Sequence, residues 1–326
     1  MSVEKISGDS IVDNKFISPH PLNTAVLFLI FNRLDTTKQV FEEIRKAKPP
    51  RLYIASDGPR ASKPGEEEKV KAVRNYVMNN IDWECEVKTL FRDKNLGCKY
   101  AVSSAIDWFF ENEEMGIILE DDCLPSQSFF WFCEELLERY KDDMRIWHIA
   151  GNNFHFGWKR DEDYSYYFSY YGSIWGWATW RNRWKQYDVN MNHYSELKSK
   201  KYLWDIFGNQ AEVDFRISNF DEIRNGLNTW DFQWTYTRLI NSGLSIVPKV
   251  NLIKNLGFGE NATHTHSKND KRANMKLYDI EIPLKHPKFI IRDKVSDDKY
   301  FKEFIKPQRN KIKRVIKKLM KKVIQK

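Results

Sequence analysis

Three consecutive carboxylates, Glu120, Asp121 and Asp122, follow an apolar run at residues 116–119. Carboxylates this close repel one another, and a divalent cation such as Mg²⁺ or Mn²⁺ relieves that repulsion while leaving coordination positions open for phosphate oxygens. The alternative is a strand that ends in a solvated acidic turn. The triplet alone favours that alternative, because short motifs often match by chance. The rest of the sequence has to decide between the two interpretations.

Asp231 is the second candidate for chemistry. It lies between Trp230 and Trp234 at the start of a helical pattern, where partial desolvation would raise its basicity. A general base of this kind accepts the proton of an attacking hydroxyl group. The alternative is a helix N-cap, a position for which Asp is among the preferred residues, and one carboxylate can serve both purposes.

The elements that must position these residues alternate between β-rich apolar runs and helical patterns, which is typical of a layered α/β fold. The predicted strands span residues 25–31, 52–55, 85–91, 116–119 and 145–150. The predicted helices span residues 36–47, 66–79, 98–112 and 126–141. The length of 326 residues slightly exceeds the roughly 250–300 at which a single core stops growing. We therefore expect one large domain with an appendage.

Polar side chains, including Arg33, Asp57, Asp93 and the acidic triplet at 120–122, follow the carboxyl ends of the predicted strands. Open α/β sheets bind ligands at that edge, so we expect these clusters to converge on one site. The sequence contains neither Gly-x-Gly-x-x-Gly nor a phosphate loop that ends in Gly-Lys-Ser/Thr. This disfavours dehydrogenases and P-loop kinases, and any nucleotide would be held by side chains and a cation.

Excess positive charge is confined to the C-terminal segment. Residues 306–326 contain ten Lys or Arg and no Asp or Glu, whereas the other residues carry 43 basic and 45 acidic side chains. Apolar residues recur there at helical spacing, so the segment predicts a basic amphipathic helix. We expect it to bind an anionic membrane surface. A helix docked on the domain and a nucleic-acid tail are the alternatives; nucleic acid is not expected, because phosphate contacts alone need no apolar stripe.

The cysteines, the first residues and the longest apolar run near the start of the chain bear on where in the cell the protein lies. The four cysteines, at positions 85, 98, 123 and 133, show no paired metal-ligand spacing, and the first residues do not resemble a signal peptide. The apolar run at 25–31 is much shorter than the roughly 20 residues of a membrane-spanning helix. These patterns predict a cytoplasmic protein with reduced thiols that is peripheral on the inner face of the cell membrane.

Residues 25–33, 54–58, 95–97 and 117–125, in this order, resemble inverting glycosyltransferases of the GT-A fold. The likeness is closest to the animal N-acetylglucosaminyltransferase that starts complex N-glycans and to related bacterial cell-surface polysaccharide transferases. It covers about residues 24–266. In that family the acidic motif at the strand end binds the metal of a nucleotide-diphospho-sugar. With this context the metal site, for Mn²⁺ or Mg²⁺, becomes the favoured interpretation of the triplet.

The resemblance implies roles for the residues around the donor. Asp122 resembles the direct metal ligand, while Glu120 and Asp121 would lie near sugar or ribose hydroxyls. Because the usual family pattern is Asp-x-Asp, Glu120 departs from it and the division of roles stays open. Asp57 resembles the residue that reads the nucleotide base, with an Asp-Gly turn as the alternative. Arg33 lies where a cation could meet the base or a phosphate.

Further positions follow from the same resemblance. Asn95 and Gly97 resemble the Asn-x-Gly that opens a helix toward the donor sugar, although Gly97 equally suits a simple helix-entry turn. Trp175 and Trp177 are expected in the sugar pocket, with most other rings of residues 154–187 in the core. His264 is a candidate to complete the metal shell or to touch the diphosphate, and a loop histidine without function is its alternative.

The resemblance places the catalytic base at Asp231, although the related enzyme has a second Asp where Phe232 stands. The sequence as a whole predicts three parts of the chain. Residues 1–23 form an N-terminal extension, and residues 24–290 form the GT-A domain, with a nucleotide-sugar half at 24–150 and an acceptor half with a lid at 151–290. Residues 291–326 form the basic, membrane-associating tail.

These observations predict a metal-dependent, inverting glycosyltransferase of bacterial surface polysaccharide synthesis. It would move a sugar from a nucleotide-diphospho-sugar, expected to be a UDP-sugar, to a glycan or lipid-linked oligosaccharide. A metal-dependent sugar-nucleotide nucleotidyltransferase is the rival enzyme, but the glycine-rich N-terminal phosphate loop with a lysine that it should show is absent from residues 29–33. A non-catalytic nucleotide-sugar-binding protein at the membrane surface is the third possibility.

Overall fold

The computed structural model describes residues 16–258 and 271–306 and has an α/β fold, as predicted. The strands are β1 Val26–Ile30, β2 Arg51–Ser56, β3 Glu86–Phe91, β4 Met115–Glu120, β5 Cys123–Pro125, β6 Ile146–Ala150, β7 Tyr166–Ser169, β8 Trp177–Trp180, β9 Leu244–Pro248 and β10 Ile253–Asn255. The α-helices are α1 Leu34–Ala47, α2 Glu66–Asn79, α3 Gly97–Asn112, α4 Gln127–Arg139, α5 Arg181–Trp184, α6 Tyr194–Ser199, α7 Tyr202–Phe207, α8 Gln210–Arg224, α9 Asp231–Ile240 and α10 Lys294–Tyr300. A short 3₁₀ helix spans Lys271–Asn274, and a π-helical turn spans Phe301–Ile305.

Eight strands form one mixed sheet in the order β3-β2-β1-β4-β8-β6-β9-β7. The first four strands along the sheet are parallel, and β8 runs antiparallel to both β4 and β6. The chain moves outward from β1 to β3 and then returns to β4 on the other side of β1. The strand order therefore reverses between β1 and β4. In open α/β sheets the ligand-binding crevice lies outside the carboxyl ends of the strands at such a point, and we call this place the crevice.

Burial on both faces explains why β1 is apolar throughout. Val26, Phe28 and Ile30 point into a core shared with α1, α2 and α4. Leu27 and Leu29 point into a second core shared with α3, α5 and α9. A strand of a parallel sheet covered by helices on both faces needs apolar residues at every position, and the continuous apolar run of β1 meets that need.

The folded body continues past the predicted domain end at residue 290. The Asp297 carboxylate in α10 lies 2.7 Å from the Arg292 Nε atom and accepts the N–H of Tyr170 at 3.2 Å. Phe301 and Phe304 are buried in an aromatic cluster. Residues 294–305 thus pack on the domain, whereas all of the predicted basic helix at 306–326 except Lys306 lies outside the described residues. No helix within the described ranges combines the length and apolarity needed to cross a bilayer.

Candidate functional site

The crevice between the carboxyl ends of β1 and β4 brings Arg33 onto the acidic triplet. Its Nη1 atom lies 2.9 Å from Asp122 Oδ2, and its Nη2 atom donates to Asp121 Oδ1. The backbone N–H of Phe31 donates to Asp121 Oδ2 at 3.2 Å. Arg33 therefore forms an ion pair across the point where the strand order reverses. The sequence predicted that these residues meet at one edge of the sheet, but it did not predict that they form an ion pair.

Glu120 has the least compensated charge in this cluster. Its Oε1 atom is buried and accepts no hydrogen bond from a described residue. Burial, followed by the charges of Asp122 and Asp121, raises the pKa of the Glu120 carboxyl well above its usual range. Burial also raises the pKa of Asp121, with Arg33 acting in the opposite direction. One guanidinium group thus does not balance the three carboxylates.

A divalent cation fits this imbalance. The carboxylate oxygens are the hard donors that Mg²⁺ and Mn²⁺ prefer, and the Oε1 atom of Glu120 is left without a partner. Across residues 16–258 and 271–306, however, no three Asp, Glu, His or Cys side chains converge as a complete metal cage. The arrangement therefore suits a cation that takes most of its ligands from phosphate oxygens and water, which is usual for Mg²⁺ bound with a phosphorylated substrate.

Asp57 caps the N-terminus of α3. Its Oδ1 atom accepts the N–H of Leu96 at 2.9 Å, and its Oδ2 atom accepts that of Gly97 at 3.0 Å, a favourable place for a carboxylate because the helix dipole is positive there. Gly97 has φ of 77°, which glycine adopts without strain. The Asn95 side chain donates to the Gly58 carbonyl oxygen at 2.7 Å. Asp57 thus has a structural role in a turn, and its reading of a base stays a prediction.

Gly58 is required for this turn to close. A Cβ atom at position 58 would lie 2.5 Å from the carbonyl carbon of Lys94 and 2.7 Å from that of Asp93. Since both are backbone atoms, they cannot move aside without distorting the main chain at Asp93 and Lys94. We expect Gly58→Ala to lower the free energy of unfolding by about 1–3 kcal/mol, the usual cost of overpacking. Urea unfolding followed by tryptophan fluorescence measures this, and an unchanged midpoint would contradict it.

Asp231 is the first residue of α9 and is half-buried. The N-cap position belongs to Trp230, whose side chain makes no cap bond, so the N-cap alternative is wrong by one residue. The Thr229 hydroxyl donates to Asp231 Oδ1. Burial is the main reason that the pKa values of Glu120 and of the Cys98 thiol are raised, and the negative charge of Asp231 raises both further. The candidate base therefore lies within electrostatic reach of the acidic triplet.

Asn228, which sequence reasoning passed over, ties this segment to the donor half. Its Oδ1 atom accepts the backbone N–H of Lys99 at 2.8 Å in the first turn of α3. On the other side, the Tyr187 hydroxyl donates to the Trp230 carbonyl oxygen at 3.0 Å. Asn is a common capping residue, so an Asn three residues before the candidate base could have suggested a capping role. Here it caps a helix that is distant in sequence.

The two tryptophans predicted for the sugar pocket have different surroundings. Trp177 is fully buried and stacks on Trp230, with ring centroids 5.6 Å apart. The structure therefore places Trp177 in the core, not at the pocket surface where the sequence prediction put it, because β8 is an interior strand. Trp175 is partly buried, and its ring meets Phe258 edge-on at 5.7 Å. The Arg272 guanidinium lies 5.9 Å from the Trp175 ring.

The segment after β10 covers the acidic triplet. β10 pairs with β5, which directly follows the triplet, and the Leu256 N–H donates to the Asp122 carbonyl oxygen at 2.7 Å. A Cβ atom at Gly257 would lie 2.1 Å from Asp122 Oδ2. The chain thus comes as close to this carboxylate as glycine allows. His264 lies outside the described residues, and its metal or diphosphate contact stays a prediction.

No protein-family model matches this chain, and no curated protein sequence is significantly similar to it. The mannosyltransferase PcManGT from Pyrobaculum calidifontis, solved in complex with GDP-Man and Mn²⁺, is 11% identical with a TM-score of 0.34 over 53% of this chain and 49% of its own. UDP-glucose pyrophosphorylase complexed with UDP-glucose is 11% identical with a TM-score of 0.28 over 51% of this chain and 79% of its own. The inositol-1-phosphate CTP transferase from T. maritima is 12% identical with a TM-score of 0.31 over 50% of this chain and 73% of its own. The chain spans about half the length of PcManGT, and likenesses of this size assign no activity.

Proposed function

We propose that this chain is a metal-dependent, inverting glycosyltransferase that moves a sugar from a nucleotide diphosphate, specifically a UDP-sugar, to a glycan acceptor. The observation that carries the proposal is the pairing of Arg33 with Asp121 and Asp122 at the switch-point crevice. Asp231, within electrostatic reach of Glu120, supplies a candidate base on the same side. Sugar transfer from a diphosphate requires a group that neutralises the diphosphate, here a cation held by the acidic cluster, beside a carboxylate base.

In the proposed reaction Asp231 accepts the proton of the acceptor hydroxyl as its oxygen attacks the anomeric carbon. The new C–O bond forms on the face of the sugar opposite the diphosphate. The bond between the anomeric carbon and the diphosphate oxygen breaks, and the diphosphate leaves with the electron pair of that bond. The Thr229 hydroxyl donates to the Asp231 carboxylate and holds its orientation. Positioning of this kind contributes directly to rate, because a small displacement of a base is costly.

On the donor side, we propose that the Arg33 guanidinium contacts the base or a phosphate of the nucleotide. Asp122 would hold the cation, with Glu120 and Asp121 toward the sugar or ribose hydroxyls. When bound, Mg²⁺ or Mn²⁺ neutralises charge that develops on the departing diphosphate. Trp175, at the partly buried edge of the aromatic stretch, offers a ring face for the sugar.

A donor panel tests the proposal. The full chain is incubated with Mn²⁺, each nucleotide-diphospho-sugar and a lipid-linked oligosaccharide, and nucleoside diphosphate and extended acceptor are measured. We expect one donor to yield both products in equal amounts and EDTA to abolish them. Pyrophosphate released from a nucleoside triphosphate and a sugar phosphate would instead indicate a nucleotidyltransferase. Donor binding without either product would indicate a non-catalytic binding protein.

We also propose that residues 306–326 hold the protein at the cytoplasmic face of the membrane, where a lipid-linked acceptor would lie. Deleting these residues, while keeping the packed segment 294–305, should release the protein from anionic vesicles, because each near-surface Lys or Arg contributes about 1 kcal/mol of attraction. Vesicle co-sedimentation measures this, with neutral vesicles as the control. Unchanged binding to anionic vesicles would refute the membrane role without affecting the proposed chemistry.

A further inference from the structure

Arg272 lies among three aromatic rings that come from distant parts of the chain. Its guanidinium carbon is 5.9 Å from the centre of the Trp175 ring, 5.7 Å from that of Phe258 and 5.5 Å from that of Phe304. A guanidinium group at these distances is attracted to the faces of aromatic rings. Arg272 therefore connects the loop before β8, the segment after β10 and the π-helical turn at residues 301–305.

Ring packing gives a second connection between Phe304 and Trp175. The Phe154 ring meets Trp175 edge-on at 5.4 Å and stacks on Phe304 at 5.3 Å. The Tyr300 ring stacks on the same phenylalanine at 5.2 Å, and Phe304 is only 9% exposed. Because stacked and edge-on pairs have preferred geometries, the position of Phe304 helps to fix that of Trp175.

Two glycines place this aromatic cluster beside the acidic triplet. A Cβ atom at Gly176, the residue after Trp175, would lie 3.2 Å from the Leu119 side chain, directly before the triplet. On the other side of the cluster, a Cβ atom at Gly257 would lie 2.1 Å from Asp122 Oδ2. The cluster thus reaches from the C-terminal turn to the candidate cation site.

We propose that Phe304 is a positioning residue for the sugar part of the donor, because it holds Trp175 and residues 256–258 at the crevice through Arg272 and Phe154. This inference rests on the proposed function, in which the sugar meets the Trp175 ring. A ring that is already held in place loses little conformational freedom when a ligand binds. The C-terminal turn, which the sequence assigned to the membrane-associating tail, then belongs to the site.

Hydrogen exchange of the full chain, measured by mass spectrometry without any nucleotide, tests the connection. The Leu256 amide donates to the Asp122 carbonyl oxygen at 2.7 Å, so its exchange rate reports how firmly this segment lies on the triplet. We expect Phe304→Leu and Arg272→Gln each to speed exchange at residues 253–257 by about 10-fold. Phe304→Tyr, which keeps the ring, should exchange at a rate close to that of the wild type.

Phe301→Leu is the matched control. Phe301 lies in the same turn, is 3% exposed and meets the Phe215 ring of α8 at 6.2 Å. The loss of this buried ring should lower Tm about as much as Phe304→Leu does, but exchange at residues 253–257 should stay unchanged. Equal acceleration in the two leucine variants would overturn the specific role of Phe304. An unchanged rate in both Phe304→Leu and Arg272→Gln would do the same.

Calorimetric titration with UDP, and with the UDP-sugar that the donor panel identifies, tests the sugar role. If Phe304 orients Trp175, Phe304→Leu should raise the Kd of the UDP-sugar by about 10-fold and leave that of UDP unchanged, because only the sugar contacts the ring. Equal weakening of both ligands would overturn the positioning role. Faster exchange in Phe304→Leu, together with no binding of any UDP-sugar, would overturn the proposed function while the connection between Phe304 and residues 256–258 stands.

Discussion

Replacing Asp231 with asparagine should lower kcat by about 10²–10⁴-fold, the range that a positioned general base contributes, while the Kd of the donor stays unchanged. Asparagine keeps the size of the side chain and can still accept the Thr229 hydroxyl, but it cannot take up the acceptor proton. Initial rates of nucleoside diphosphate release at saturating donor and acceptor measure kcat. Calorimetric titration with the donor measures Kd.

Asp161→Asn is the matched control for this experiment. Asp161 is an exposed aspartate that accepts the backbone N–H of Asp163 at 2.8 Å, and it belongs to a polar loop away from the crevice strands. We expect its kcat to equal that of the wild type. A near-wild-type kcat for Asp231→Asn would rule out the base role, whereas a weakened Kd for the donor would instead indicate a structural role for Asp231.

Replacing Asp122 with alanine should lower kcat/KM by about 10²-fold or more, on the order of the several kcal/mol that a Lewis-acid cation supplies. It should also remove the dependence of donor binding on Mn²⁺. The change deletes the carboxylate that Arg33 contacts at 2.9 Å and that we propose as the metal ligand. Donor binding is titrated by calorimetry with Mn²⁺ and, separately, with EDTA.

Glu120→Gln tests the division of roles within the triplet. The amide keeps the shape of this buried side chain but cannot ionise to bind a cation, and the Oε1 atom of Glu120 has no partner among the described residues. If Asp122 is the ligand, this variant keeps its Mn²⁺ dependence and changes mainly the KM for the sugar donor. Loss of Mn²⁺ dependence in Glu120→Gln, with its retention in Asp122→Ala, would transfer the ligand role to Glu120.

The N-terminal half of the fold was predictable because its signals are local. Apolar runs such as that of β1, and helical periodicity such as that of α1, identified each predicted strand and helix to within two residues at either end. The rule that parallel strands present their carboxyl ends at one edge then brought Arg33 near the acidic triplet.

The remainder depends on non-local contacts. The antiparallel insertion of β8 between β4 and β6 buries Trp177, and nothing within the sequence neighbourhood of an aromatic stretch distinguishes a core ring from a pocket ring. Asp57 caps a helix that begins 40 residues later, and an Asp-Gly pair in a sequence does not indicate such a distant partner. The burial of Arg238, which is 1% exposed, could not be predicted either, because a charged residue in a sequence is expected at the surface.

The Arg33–Asp122 contact joins residues that are 89 positions apart, so it exists only after β1 and β4 have paired. Closing so long a loop costs conformational entropy before the contact can stabilise the chain, which makes such pairings slow. We therefore expect the crevice to be completed late as the chain folds. A donor that binds only the completed crevice shifts the folding equilibrium by mass action. Resistance of the β1–β4 region to proteolysis should then rise with donor concentration, so that the substrate also acts as a folding ligand for the first 122 residues.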